Sequence, residues 1–153
     1  MKAPLIMTPG PTHVNEEVRR ALSREITNPD LDLAFYEFYK ETCTKLKGLL
    51  KTDNDVLILS GEGILGLEAA CASMIEPGDR VLVIDNGIFG NGFADFVEIY
   101  KGKVEFFKSD YERAVDVEKL KVFLEKDHDF KMATVVHCET PSGITNPVDI
   151  ICP

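Results

Sequence analysis

The chain has 153 residues, with 26 acidic and 17 basic side chains, a net charge of −9, 44% apolar residues and 28% charged ones. That composition is globular rather than disordered, the length suits one core rather than two full domains, and the acidic balance disfavours nucleic acid and anionic membranes as partners. No apolar run approaches the ~20 residues that span a bilayer, and Met1-Lys2-Ala3-Pro4 opens no signal-type stretch, so a cytoplasmic protein is expected.

In chain order, Pro4, Pro9 and Pro11 keep residues 1–12 extended, and Thr8-Pro9-Gly10-Pro11-Thr12 is a stiff loop. Asn15 can cap a helix with Val18, Leu22 and Ile26 on its apolar face, broken at Asn28-Pro29-Asp30. From Leu31 to Leu50 the apolar residues Leu31, Phe35, Phe38, Tyr39, Cys43, Leu46, Leu49 and Leu50 recur every three or four positions, which predicts a long amphipathic helix. Asp55 to Leu59 reads as a buried strand, followed by a glycine turn and an apolar helix from Gly63 to Ile75. Arg80 to Asp85 is a second strand, and Asn86-Gly87-Ile88-Phe89-Gly90 leads into a helix ending near Tyr100. Lys103 to Phe107 is a third strand, Asp116 caps a helix through Leu124, and Ala133 to His137 is a fourth strand.

Strands alternating with helices predict an α/β fold of three layers, a mostly parallel sheet with helices on both faces. Ligands of such sheets bind at the carboxyl ends of the strands, which directs attention to the loops after Leu59, Asp85 and His137. The loop Ser60-Gly61-Glu62-Gly63-Ile64-Leu65-Gly66 joins a strand to a helix, where glycines let the backbone approach a phosphate and the helix N-terminus favours an anion. The same residues spell G-x-G-x-x-G over Gly61, Gly63 and Gly66, and Asp85 ends the next strand, so a Rossmann-like dinucleotide module is an alternative. The glycines could also simply shape a tight turn. The four cysteines, Cys43, Cys71, Cys138 and Cys152, have no C-x-x-C spacing and read as reduced thiols. His137-Cys138-Glu139 makes no metal set, because adjacent residues of an extended strand point to opposite faces and no second ligand cluster exists.

Four loops taken together are more specific than any one of them: Pro9-Gly10-Pro11-Thr12, Ser60-Gly61-Glu62-Gly63 with Glu68-Ala69-Ala70, Asn86-Gly87-Ile88-Phe89-Gly90 after Pro77-Gly78-Asp79-Arg80-Val81-Leu82-Val83, and His137-Cys138-Glu139-Thr140-Pro141-Ser142-Gly143-Ile144-Thr145-Asn146-Pro147. In this order and spacing they resemble the N-terminal portion of the class V aminotransferases, pyridoxal 5'-phosphate (PLP) enzymes of fold type I of the alanine-glyoxylate and serine-pyruvate kind. The resemblance implies part of a PLP-dependent transferase large domain, with residues 1–30 an N-terminal arm and first helix and residues 31–153 the front of that domain. It implies transamination between a small amino acid and a 2-oxo acid, in a homodimer or with a second chain completing the sheet.

The resemblance further implies that the backbone at Glu62, Gly63 and Ile64 holds the cofactor phosphate, that Phe89 stacks on the pyridine ring and that Thr140 reaches the ring oxygen. Gly10 and Pro11 match the wall near the substrate carboxylate. Read without it, Phe89 is a core aromatic and Thr140 a turn residue. Glu62 departs from the serine common at its position, and Thr27-Asn28-Pro29-Asp30-Leu31 from the family's H-R-x-x-x-F. The family's ring-nitrogen aspartate and its cofactor-binding lysine fall beyond residue 153, so no catalytic residue is expected in this chain. In the resembling fold the strand at 55–59 lies apart from the other three, separated by later strands. The apolar end Ile150-Ile151-Cys152-Pro153 likewise predicts a longer protein.

Overall fold

The computed structural model describes residues 4–152, and its contacts divide the chain into two units meeting at Ser60 and Gly61.

In the first unit, α1 (Glu16–Leu22) begins where the Asn15 side chain accepts a hydrogen bond from the Glu17 amide. It stops at Ser23, so Ile26 lies outside the helix and is exposed. Helix α2 (Leu33–Leu50) is capped by the Asp32 carboxylate, which accepts from the Ala34 amide, and ends at Lys51 in a left-handed conformation. Of its predicted stripe, Phe35, Tyr39, Cys43 and Leu46 are half-buried. Leu31, Phe38, Leu49 and Leu50 are exposed.

The expected strand at 55–59 does not form. Residues 55–59 belong to no ladder among the described residues, and Leu57, Ile58 and Leu59 are exposed. An apolar run becomes a strand only when a neighbour takes its amides and carbonyls, and none does here. One of those amides, that of Ile58, donates instead to the Tyr39 hydroxyl at 3.3 Å.

The second unit contains the sheet. Helix α3 (Gly63–Met74) precedes β1 (Arg80–Asp85), followed by α4 (Ile88–Ile99), β2 (Lys103–Lys108), α5 (Val117–Lys126) and β3 (Met132–Thr134). The order is β2-β1-β3 and both pairings are parallel, with Val81 opposite Val104 and Met132, and Val83 opposite Phe106 and Thr134. The predicted fourth strand is therefore shorter, ending at Thr134. Beyond it a small hairpin, β4 (Cys138–Glu139) and β5 (Ile144–Thr145), leads to α6 (Val148–Ile151).

The central strand explains the layers. Its side chains alternate, so Val81 and Val83 join Cys71, Ile75, Phe93 and Val97 from α3, α4 and the segment after α3 on one face. Leu82 and Ile84 join Phe107, Val115 and Leu120 on the other. A strand covered on both sides needs an uninterrupted apolar run, and Val81-Leu82-Val83-Ile84 supplies it. Among the described residues no helix is long and apolar enough to cross a membrane.

Candidate functional site

Two helices begin at the carboxyl end of the second unit's sheet region, and their N-termini differ. Helix α4 starts just after β1, at Gly87, and its first amides are occupied from within the protein. The Glu139 carboxylate, fully buried, accepts from the Phe89 amide through Oε1 and from the Gly90 amide through Oε2, both at 3.0 Å. Negative charge at this end also complements the helix dipole. The two glycines of the N-G-x-F-G loop make room for the arrangement. A Cβ on Gly87, whose φ is +156°, would stand 2.3 Å from the Glu139 Cγ, and one on Gly90 would stand 2.0 Å from the Asn86 Oδ1 and 2.8 Å from the Ile84 carbonyl.

Helix α3 has no such plug. Its N-cap residue Glu62 makes no side-chain capping bond, and a Cβ on Gly63 would meet nothing within 4 Å. Among the described residues no side chain accepts from the amides that open α3, the condition in which a helix N-terminus takes an external anion. In front of them lies a cavity of about 470 Å³, within the range of small-molecule sites. Glu62, Gly63, Ile64 and Leu67 line it from α3, Phe89 and Phe93 from α4, and Val135, Val136 and His137 from the segment after β3. Phe89 is half-exposed, so its ring is not filling a core.

The structure thus brings four of the sequence-predicted residues, Glu62, Gly63, Ile64 and Phe89, to one cavity. Thr140 lies outside its lining, exposed at the tip of the β4–β5 hairpin, one residue after the buried Glu139. Gly143, at φ +69°, closes that turn by donating to the Glu139 carbonyl at 2.9 Å. Gly10 and Pro11 lie in the first unit on an exposed bend, where the Thr8 hydroxyl donates to the Pro11 carbonyl.

Asp85, the acid that a dinucleotide module would use on a ribose, is buried and already engaged. Its Oδ1 accepts from the Tyr111 hydroxyl at 2.5 Å and its Oδ2 from the Asn91 amide at 3.1 Å. That hydrogen bond, with burial, pushes the Tyr111 phenol up to about 12. The Rossmann-like alternative is not supported.

Sequence reasoning missed the residues that hold the loops. Besides Glu139, Asn146 is buried, accepting from the Val115 amide at 2.9 Å and donating to the Val136 carbonyl at 2.8 Å. Asn86 donates to the same carbonyl at 3.1 Å. The signal available was the pairing itself: a loop with two closely spaced glycines and a second loop with a carboxylate and an amide, both following strands.

No protein-family model matches the chain. The chain is 35% identical to a pyridoxamine–pyruvate transaminase of Mesorhizobium japonicum, over 96% of this chain and 37% of the relative. It is also 35% identical to an uncharacterized aminotransferase of Methanocaldococcus jannaschii, over 94% of this chain and 37% of that one. The crystal structure of pyridoxamine–pyruvate aminotransferase from Mesorhizobium loti superposes with a TM-score of 0.90 at 34% identity, covering 97% of this chain and 38% of that one. The chain therefore spans less than two-fifths of the length of these relatives, and the resemblance to aminotransferases read from its motifs is borne out along nearly all of its own.

Proposed function

We propose that this chain, which has the sequence and fold of the N-terminal portion of an aminotransferase, forms the half of a class V active site that holds a pyridoxal-type ring. The observation that carries this reading is the cavity that the uncapped N-terminus of α3 and Phe89 line together. Open amides suit an anionic substituent and the flat apolar ring suits stacking on a pyridine. In this reading residues 1–30 are an arm and first helix, and residues 31–153 are the front of the large domain. Bound PLP supplies an electron sink for chemistry at the α-carbon of an amino acid.

The chain's own groups do the rest of this half. The amides of Gly63 and Ile64 would fix the phosphate end, Phe89 would orient the ring plane, and Thr140, on the hairpin outside the cavity's lining, would donate toward the ring oxygen; for Gly10 and Pro11 the resemblance implies the wall near the substrate carboxylate. The reaction of the whole protein is amino transfer between a small amino acid and a 2-oxo acid in the cytoplasm, in a homodimer or with further polypeptide completing the sheet.

A second reading rests on Glu62. Glu62 is among the residues lining the cavity at the helix end assigned to the phosphate, and a carboxylate turned inward there would repel a phosphate but accept a hydrogen bond from a neutral hydroxymethyl group. The relative that acts by name on pyridoxamine, which has that group and no phosphate, is in keeping with this. Titration of the protein with PLP and with pyridoxal, followed through the absorbance of the ring, tests both readings. Preferential uptake of PLP supports the first, and preferential uptake of pyridoxal that reverses in Glu62→Ser supports the second. Uptake of neither overturns both.

A further inference from the structure

We infer that Glu139 is a positioning residue for the ring, a group that ties its two proposed side-chain contacts, Phe89 and Thr140, into one frame. The inference rests on the reading that a pyridine ring occupies the cavity at α3. Phe89 and Thr140 come from loops some 50 residues apart in sequence, one opening α4 and the other turning the β4–β5 hairpin. A stacking ring and a hydroxyl can serve one planar ligand only if their separation is held to within a fraction of an ångström, about 0.5 Å.

The Glu139 carboxylate supplies that tie. Its backbone immediately precedes Thr140, and its two oxygens bind the amides of Phe89 itself and of Gly90. The bonds are charge-assisted and fully buried, so they are strong and directional. The hairpin end is anchored in turn. The Gly143 amide returns to the Glu139 carbonyl, and Asn146 binds the Val115 amide and the Val136 carbonyl. Gly87 and Gly90 lack the Cβ atoms that would displace the carboxylate or its neighbour Asn86. A cap needed only to end a helix could come from the local residue Gly87 position, as Asn15, Asp32 and Asp116 do for α1, α2 and α5. Here the cap comes from the loop bearing the second ring contact.

The test is Glu139→Gln, which keeps the shape but turns an amide NH₂ toward a backbone N–H, with Leu120→Ala on the opposite face of the sheet as a control for lost stability. Amide proton shifts of Phe89 and Gly90 report the tie without any ligand. The circular dichroism induced in the ring band by PLP, or by pyridoxal if that is the form taken up, reports ring geometry. The expected result is an upfield move of both amide protons, a changed or lost ring band and an affinity about tenfold weaker, the effect of one charge-assisted hydrogen bond. Leu120→Ala keeps the wild-type band. If Glu139→Gln does not fold, Glu139→Asp, which retains the charge with a shorter reach, is judged by the same readouts. An unchanged band and affinity in a variant whose amide shifts have moved overturns the positioning role and leaves the functional reading standing. Equal loss of the band in Leu120→Ala also overturns it. Failure of the wild-type protein to take up either ring overturns the functional reading, and this inference with it.

Discussion

The two units use apolar residues in opposite ways. In residues 4–60 no described side chain is fully buried, although α2 alone offers Phe35, Phe38, Leu46, Leu49 and Leu50. From Gly61 onward, β1 is buried along nearly its whole length between two apolar clusters. Both segments have good local signals, with side-chain caps on α1 and α2 as sound as the cap on α5. The contrast shows that capping and periodicity make a helix, whereas burial requires a second surface. The sheet supplies that surface to α3, α4 and α5, since its alternating side chains present two apolar faces at once.

The contrast can be broken most sharply by the same truncation in each unit. Leu82→Ala, at 1% exposure in β1, is expected to cost about 2–5 kcal/mol in urea denaturation, against no more than about 0.5 kcal/mol for Leu49→Ala at 76% exposure. Equal losses would mean that α2 is buried in solution. A glycine pair sharpens it next. Gly90→Ala forces a Cβ onto Asn86 and the Ile84 carbonyl and is expected to destabilise by about 1–3 kcal/mol, while Gly48→Ala, in open space on α2, stabilises by about 0.5–1 kcal/mol. Opposite signs in the denaturation midpoint are the outcome to look for.

The smallest effect concerns ion pairs. Arg80 grips Asp127 through two hydrogen bonds, at 3.1 and 2.6 Å, with its guanidinium 4.7 Å from the centre of the Phe130 ring. The bond from Arg80 holds the Asp127 carboxyl below the usual carboxylate range. Its contribution is therefore present above the unfolded pKa and is lost as pH falls through the lowered folded value. Comparing urea midpoints at about pH 7 and about pH 3 should show an acid loss that shrinks in Arg80→Met. Lys47→Met, which removes the bridge to the exposed Asp55 in the first unit, should move the neutral midpoint less.

Much of this was legible in residue order. The cap Asn15 placed the start of α1, and the cap Asp116, the apolar run of β1 and the strand–helix alternation placed α3 to β3 of the second unit to within a few residues, because each rests on local chemistry. The cavity's α3 side was legible as well, since a glycine turn opening a helix implies an approachable helix N-terminus. The strand at 55–59 was misread because its apolar run satisfies periodicity without a partner. Glu139 went unread because its meaning lies in the distant amides of Phe89 and Gly90.

The sequence by itself determined where helices start, which run crosses the middle of the sheet, and which family the loops resemble. Tertiary structure alone decided which of the two helix N-termini stays open. Glu139 and Glu62 are both carboxylates beside a helix start, and no local rule tells the plug from the open mouth. The difference is one of reach: Glu139 comes back across about 50 residues to fill α4, and among the described residues no side chain returns to cap α3.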